Sequence, residues 1–211
     1  MTGAPYYLHP YDAIHPHDVL PANLTYESLR DGHRFRLGRV TIRALHVPGH
    51  TLGHVALAAT TPDGDSYLFS GDSVFLRSVG RPDLGGQSEA WARLAHESLF
   101  TTLRARVPGE ALVLPGHYAR PGEADGQGLF AAPFDELWAR NSDLAFAHED
   151  DFVDHILGNL PALPPEYAEI KRVNAGLVRA DPQQSSLLEM GRNVCALSSA
   201  YADDPAPLVP R

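Results

Sequence analysis

His46-Val47-Pro48-Gly49-His50-Thr51-Leu52-Gly53-His54 decides the reading of this chain. Ahead of it, Val40, Ile42 and Leu45 set against Thr41 and Arg43 spell a half-buried strand, and Pro48-Gly49 then turns the backbone sharply. A histidine is thus set just past a strand end. Phe69-Ser70-Gly71-Asp72 and Val113-Leu114-Pro115-Gly116-His117 repeat the arrangement with an Asp and a second His. Strand ends are rigid and gather along one sheet edge, which suits convergence of His50, Asp72 and His117 on a metal. Two neutral imidazoles and a carboxylate able to bridge two ions make an N/O donor set that zinc accepts. Each residue also has a plainer reading. His50 fits a buried histidine bonded to backbone, Asp72 a turn cap, and His117 an exposed side chain beside Tyr118 and Arg120.

Together these stretches resemble the metallo-β-lactamase superfamily, the fold shared by glyoxalase II, persulfide dioxygenases and many metal-dependent hydrolases. In that family an H-x-P-G-H-T-x-G segment, a G-D segment and a P-G-H segment follow one another in the second half of the domain. All three occur here in that order. Between them, Ser78-Val79-Gly80-Arg81-Pro82-Asp83-Leu84 resembles the G-R-x-D segment of the persulfide dioxygenase branch. The resemblance covers roughly residues 1 to 120 and, more loosely, the remainder. It implies an α+β fold, the second half of an αββα sandwich followed by C-terminal helices. Residues 1–125 are then expected to form a partial metallo-β-lactamase-like domain, 126–200 a helical extension packed on it, and 201–211 a loose tail. The family's H-x-H-x-D-H motif lies upstream of the segment that Pro5-Tyr6-Tyr7-Leu8-His9-Pro10 resembles, so the chain is expected to begin after it. His15-Pro16-His17-Asp18 lacks the following Asp-His pair, follows no hydrophobic strand, and reads as a solvated loop.

The resemblance implies a metal held by His50, Asp72 and His117, with Asp72 the catalytic carboxylate and one or two Zn²⁺, or Fe²⁺, as the cofactor. His46, His54 and Asp83 are expected to orient these groups or to be structural. Arg81 is expected either to bind the carboxylate of an anionic thiol-derived substrate or to pair with Asp83. His96, His148 and His155 lie in helical stretches and are expected at the surface. Three functions follow. One is a hydrolase in which metal-bound hydroxide attacks a thioester or ester. The second is a mononuclear iron persulfide dioxygenase, with His50 and Asp72 as two of three ligands, an arrangement suited to Fe(II) and O₂. The third, suggested by the missing motif, is a non-catalytic remnant or partner subunit. The chain is expected to be incomplete as written.

Composition narrows the partners. A net charge of -9 and a pI near 5.6 argue against nucleic acid or an anionic membrane. Lys171 is the sole lysine and Cys195 the sole cysteine. Without a possible internal disulfide, a signal peptide or a membrane-length apolar run, a reducing cytoplasmic setting is expected. Half a sandwich leaves an apolar sheet face and an unpaired edge, so a homodimer or a complementing N-terminal half is expected as partner.

The remaining pattern predicts a short strand at Pro5 to Leu8 and a helical turn or loop at Leu24 to Leu29. Strands follow at Arg34 to Leu37 and Val40 to His46, then a hairpin of His54–Ala59 and Ser66–Ser70 across Pro62-Asp63-Gly64. A helix from Ser88 to Arg106, capped by Ser88, leads to a strand over Val107 to Leu114 that is broken at Pro108-Gly109. From Phe134 the pattern turns helical through Leu137, Trp138, Leu144, Phe146, Phe152, Val153 and Ile156. Tyr167 to Val173 resumes it after Pro161, Pro164 and Pro165.

Overall fold

The computed structural model describes residues 3–14, 20–118, 121–163 and 167–189. His15-Pro16-His17-Asp18, Cys195 and the 201–211 stretch lie outside the described residues. Strands β1 (Tyr7–Leu8) and β2 (Glu27–Ser28) pair in parallel. Within the helical turn or loop expected over Leu24 to Leu29, residues Glu27–Ser28 form a strand and the rest is loop. Glu27 and Leu29 donate their backbone N–H groups to the Tyr6 and Leu8 carbonyls, and buried Leu29 anchors the segment.

Six strands build the main sheet in spatial order β3 to β8. β3 (Arg34–Leu37), β4 (Val40–His46), β5 (Val55–Thr60) and β6 (Ser66–Gly71) run antiparallel, close to their predicted bounds. β7 (Leu112–Pro115) joins β6 in parallel, and β8 (Ala132–Pro133) closes the order antiparallel to β7. A parallel neighbour requires a crossover. It is supplied by α1 (Ser88–His96), a π-helical stretch Glu97–Leu103 and α2 (Arg104–Arg106). Ser88 is the first helical residue and not the cap, which is Gln87 with no side-chain cap bond. The break expected at Pro108-Gly109 is a turn in which Ala111 bonds back to the Pro108 carbonyl, and the strand proper starts at Leu112.

Register explains the layering. Leu45 pairs with Ala56, and Ala58, Leu68 and Val113 align across β5 to β7. That face packs on Ala92, Ala95, Leu99 and Leu103 of the crossover. The same core continues into α3 (Phe134–Arg140), a 3₁₀ turn Ser142–Ala145 and α4 (Glu149–Gly158), through Phe134, Leu137, Leu144, Phe152, Val153 and Ile156. Burying each large side chain contributes about 1.5–3 kcal/mol. α5 (Tyr167–Asn174) and α6 (Pro182–Glu189) follow. On the opposite sheet face Ala44, Leu57, Phe69 and Leu114 form a row in which Phe69 is 45% exposed. One sheet with α1, α3 and α4 packed on a single face is the α+β half-sandwich that the sequence predicts. No helix among the described residues is long and apolar enough to cross a membrane.

Two helical histidines depart from the surface placement expected of them. His96 stacks on Phe100 and lies 2.9 Å from the Ala147 carbonyl. His155 stacks on Phe146 and bonds at 2.8 Å to Asp143, which is fully buried. Each ring is drawn inward by an aromatic neighbour and an acceptor from the next element. His148 is exposed, as expected.

Candidate metal centre

The three motif residues meet at one carboxylate. His50 Nε2 lies 3.3 Å from Asp72 Oδ2, and His117 Nδ1 lies 2.7 Å from Asp72 Oδ1. The turn after β4 delivers His50, the end of β6 delivers Asp72, and the end of β7 delivers His117. His50 and Asp72 are largely buried, whereas His117 is more open to solvent.

Tautomers follow from the partners. His50 Nδ1 lies 2.9 Å from the Arg81 carbonyl, which can only accept, so Nδ1 carries the proton. Nε2 therefore turns its lone pair toward an anionic oxygen, and the pair is favourable only with a cation, proton or metal between them. His54 is set the other way. The Asp72 backbone N–H donates to His54 Nε2 at 2.9 Å, which leaves the proton on Nδ1, a buried atom with no partner among the described residues. Burial, reinforced by neighbouring His50, pushes the His54 pKa down to about 4. Burial alone would raise the pKa of Asp72. The hydrogen bond from His117, joined by one from His50 when a proton occupies Nε2 as well as Nδ1, outweighs it and holds the carboxyl well below its usual range.

These shifts predict an acid-sensitive fold. The unfolded chain takes up a proton at His54 near pH 6.5 that the folded chain refuses until about pH 4. Stability from this residue is thus intact above pH 6.5 and drains away as pH falls toward 4, by up to roughly 3 kcal/mol. Urea unfolding of metal-free protein across that window is expected to show the decline, and His54→Phe to flatten it.

The loop between β6 and α1 braces the centre. Arg81 is 1% exposed, and its guanidinium forks onto Asp83 at 2.6 and 2.7 Å, with a further bond to the Pro161 carbonyl. Of the two expectations for Arg81, the ion pair with Asp83 is present, and the Arg81 main chain reaches the site through His50. His46 lies further out. It stacks on His9 at 4.2 Å, and its Nε2 is 2.8 Å from the Leu52 carbonyl, so it steadies the motif loop without touching Asp72.

Asp12 is the residue that sequence reasoning missed. It lies in the 3₁₀ turn Pro10–Ala13, where His9-Pro10 signals only a turn. Its carboxylate accepts from Thr51 Oγ1 at 2.7 Å and from the Gly53 N–H at 2.8 Å, spanning the loop that presents His50. A Cβ at Gly53 would stand 2.7 Å from the Asp12 carboxyl carbon, so glycine is required for the approach. Asp12→Ala is expected to cost about 1–2 kcal/mol and to weaken metal binding about tenfold. Asp12→Asn, which can accept from Gly53 and donate to Thr51, is expected to stay close to the parent. Thermal melting and Co²⁺ titration of both variants check this.

The donor chemistry fits a metal in kind: two imidazoles, one forced to present a lone pair, on the two oxygens of one ionised carboxylate. The number is short. Among the described residues no group of three or more His, Cys, Asp or Glu side chains is placed to hold one metal ion. The two imidazoles flank Asp72 on different oxygens, as around a bridging carboxylate.

No family model matches the chain. It is 40% identical over 90 residues to the hydroxyacylglutathione hydrolase of Methylococcus capsulatus, covering 43% of this chain and 31% of that protein. It is also 40% identical over 88 residues to the hydroxyacylglutathione hydrolase of Xanthomonas euvesicatoria pv. vesicatoria, covering 41% and 29%. An uncharacterised protein of Mycobacterium tuberculosis matches at 40% over 91 residues, covering 42% and 38%. The match thus spans about a third of the length of these relatives. Among solved structures, a metallo-β-lactamase from Staphylococcus aureus superposes with a TM-score of 0.67 at 24% identity, over 85% of this chain and 53% of that one. ETHE1 from Myxococcus xanthus superposes with a TM-score of 0.57 at 27% identity, over 74% and 62%. With the three motif residues gathered at one sheet edge, these likenesses show a metallo-β-lactamase-type fold, and over the matched residues the chain is similar to hydroxyacylglutathione hydrolases.

Proposed function

We propose that this chain forms part of a metal-dependent hydrolase centre that cleaves a thioester or ester of a small thiol-derived molecule. Its donors to the metal are His50, Asp72 and His117, and Asp72 is the catalytic carboxylate. One observation carries the reading: the forced meeting of the His50 Nε2 lone pair with the Asp72 carboxylate at 3.3 Å. Zinc in such a setting supplies Lewis acidity that polarises a carbonyl and brings the pKa of water to about 7.

The chain's own residues do the rest. The Arg81 carbonyl holds His50 in one tautomer, and His54 holds the Asp72 main chain. Asp72 stays anionic throughout the neutral range and keeps a fixed negative charge between the imidazoles. His117, the most exposed of the three, lies where a substrate arrives from solvent. Further donors come from a second copy or a complementing segment. The hydroxyacylglutathione hydrolases that the chain resembles make a glutathione thioester the substrate to try first.

The resemblance of Gly80-Arg81-Pro82-Asp83 to the persulfide dioxygenase branch favours a second reading, an iron persulfide dioxygenase, and this ion-paired loop is bonded directly to His50. Metal content after dialysis, by elemental mass spectrometry, separates the two. Retained zinc with thioester hydrolysis supports the hydrolase. Retained iron with oxygen consumption on a thiol persulfide supports the dioxygenase. Negligible metal in the purified chain and in any assembly it forms sinks both and leaves the non-catalytic partner.

A further inference from the structure

A second cluster of functional groups lies at the other end of the sheet. Cross-strand register places Arg34 opposite Arg43, Thr41 opposite Thr60, and Thr60 opposite Ser66, all on the helix-covered face. Together with Arg106 they line a half-open cleft of about 300 Å³, where the helical layer stops short of the strand ends. The Val40, Thr60 and Ser66 ends of these strands are the ones remote from the metal centre. Six residues of β5 alone separate the two, about 20 Å of extended chain.

The charge arrangement is costly as it stands. Like charges directly opposite on neighbouring strands destabilise a sheet. Among the described residues the one carboxylate seen on these arginines is Asp31, bonded to Arg106 at 2.8 Å. No acidic residue lines the cleft among the described residues. Edge-strand protection accounts for Arg34, since β3 is the edge and charge there deters strand addition. It does not account for Arg43, which is half-buried on the interior strand β4. Capping of the helix end accounts for one of its donors, through a long 3.4 Å bond to the Arg106 carbonyl. In a chain of net charge -9, a concave surface with three arginines and three hydroxyls is a concentration of anion-binding groups. Planar guanidinium forks match tetrahedral oxyanions bidentately, and hydroxyls take the remaining oxygens. The volume lies at the lower end of small-ligand pockets.

We propose that this cleft binds the phosphoryl group of a small anionic ligand, held by Arg34 and Arg43 with the Thr41, Thr60 and Ser66 hydroxyls. The site is separate from the metal centre and does not rest on the hydrolase reading.

The test is titration of the metal-free chain, in chelator, with inorganic phosphate at ionic strength held constant by chloride. Heat and the arginine side-chain N–H resonances are followed. Saturable binding with shifts at Arg34 and Arg43 is expected, weakened about tenfold or more in Arg43→Gln and less in Arg43→Lys, which keeps charge and stem. Circular dichroism of each variant confirms the fold. Phenyl phosphate run in parallel separates the sources. Tighter binding assigns the site to the phosphoryl group of an organic ligand, and equal affinity to a free oxyanion. Absence of saturable binding by the parent, or binding that folded Arg43→Gln leaves unchanged, overturns the proposal.

Discussion

On the proposed function, Asp72→Ala is expected to abolish metal retention by the centre and to drop turnover of its assembled form by about a thousandfold or more. Among the described residues Asp72 is the only acidic residue that touches both imidazoles, at 3.3 and 2.7 Å, so its loss removes the common anion and leaves two unbridged bases. The effect is common to the hydrolase and dioxygenase readings, since each requires this carboxylate. Asp72→Asn sharpens the result. It preserves shape and the backbone N–H bond to His54, yet lacks the charge and turns an amide toward one imidazole. Loss in both variants assigns the role to charge, whereas loss in alanine alone assigns it to packing. Elemental analysis and steady-state rates, measured on the same preparations, give the answer. Full turnover by Asp72→Ala would remove this residue from the site altogether.

What the sequence reveals of this centre follows from the range of the signals. The alternation of Val40, Ile42 and Leu45 is local, and so is the Pro48-Gly49 turn, so β3 to β6 and their strand-end residues are legible without a structure. The same holds for the helix from Ser88 to Arg106, whose inward face carries Leu99 and Leu103. Long-range contacts leave no such trace. Asp12 reaches residues 51 and 53 from 39 and 41 positions away, and nothing in His9-Pro10-Tyr11-Asp12 points there. Asp143 is fully buried, accepting from the Val79 N–H and bonded to His155. Its neighbours Ser142 and Leu144 suggest only a turn. The Glu27–Ser28 strand is missed for the same reason, because the Glu27 and Leu29 backbone bonds go to residues some twenty positions earlier. Propensity describes a segment, and pairing decides it.

Gly80→Ala is expected to destabilise the fold by about 3 kcal/mol and to weaken metal binding in the same step. A Cβ at this position would stand 1.8 Å from the Asp72 carbonyl oxygen and 3.0 Å from His50 Nδ1. A methyl group has no rotamer by which to escape, so backbone must move. If the loop retreats, the Arg81 carbonyl leaves His50 and the Val79 N–H leaves Asp143. If the Asp72 peptide retreats, its N–H leaves His54 and its carboxylate loses register with both imidazoles. Either movement releases a proposed metal ligand from the bond that orients it. For a domain of this size the stability loss corresponds to a melting shift of about 10 °C. Gly158→Ala is the control, because its Cβ meets nothing within 4 Å at the end of α4 and the change is expected to be neutral or slightly stabilising. A melting shift without altered metal binding would mean that the loop supports the fold alone. Paired losses in Gly80→Ala, against an unaffected Gly158→Ala, would mean that the 78–84 loop belongs to the centre because its backbone, more than the Arg81 side chain, holds His50 in place.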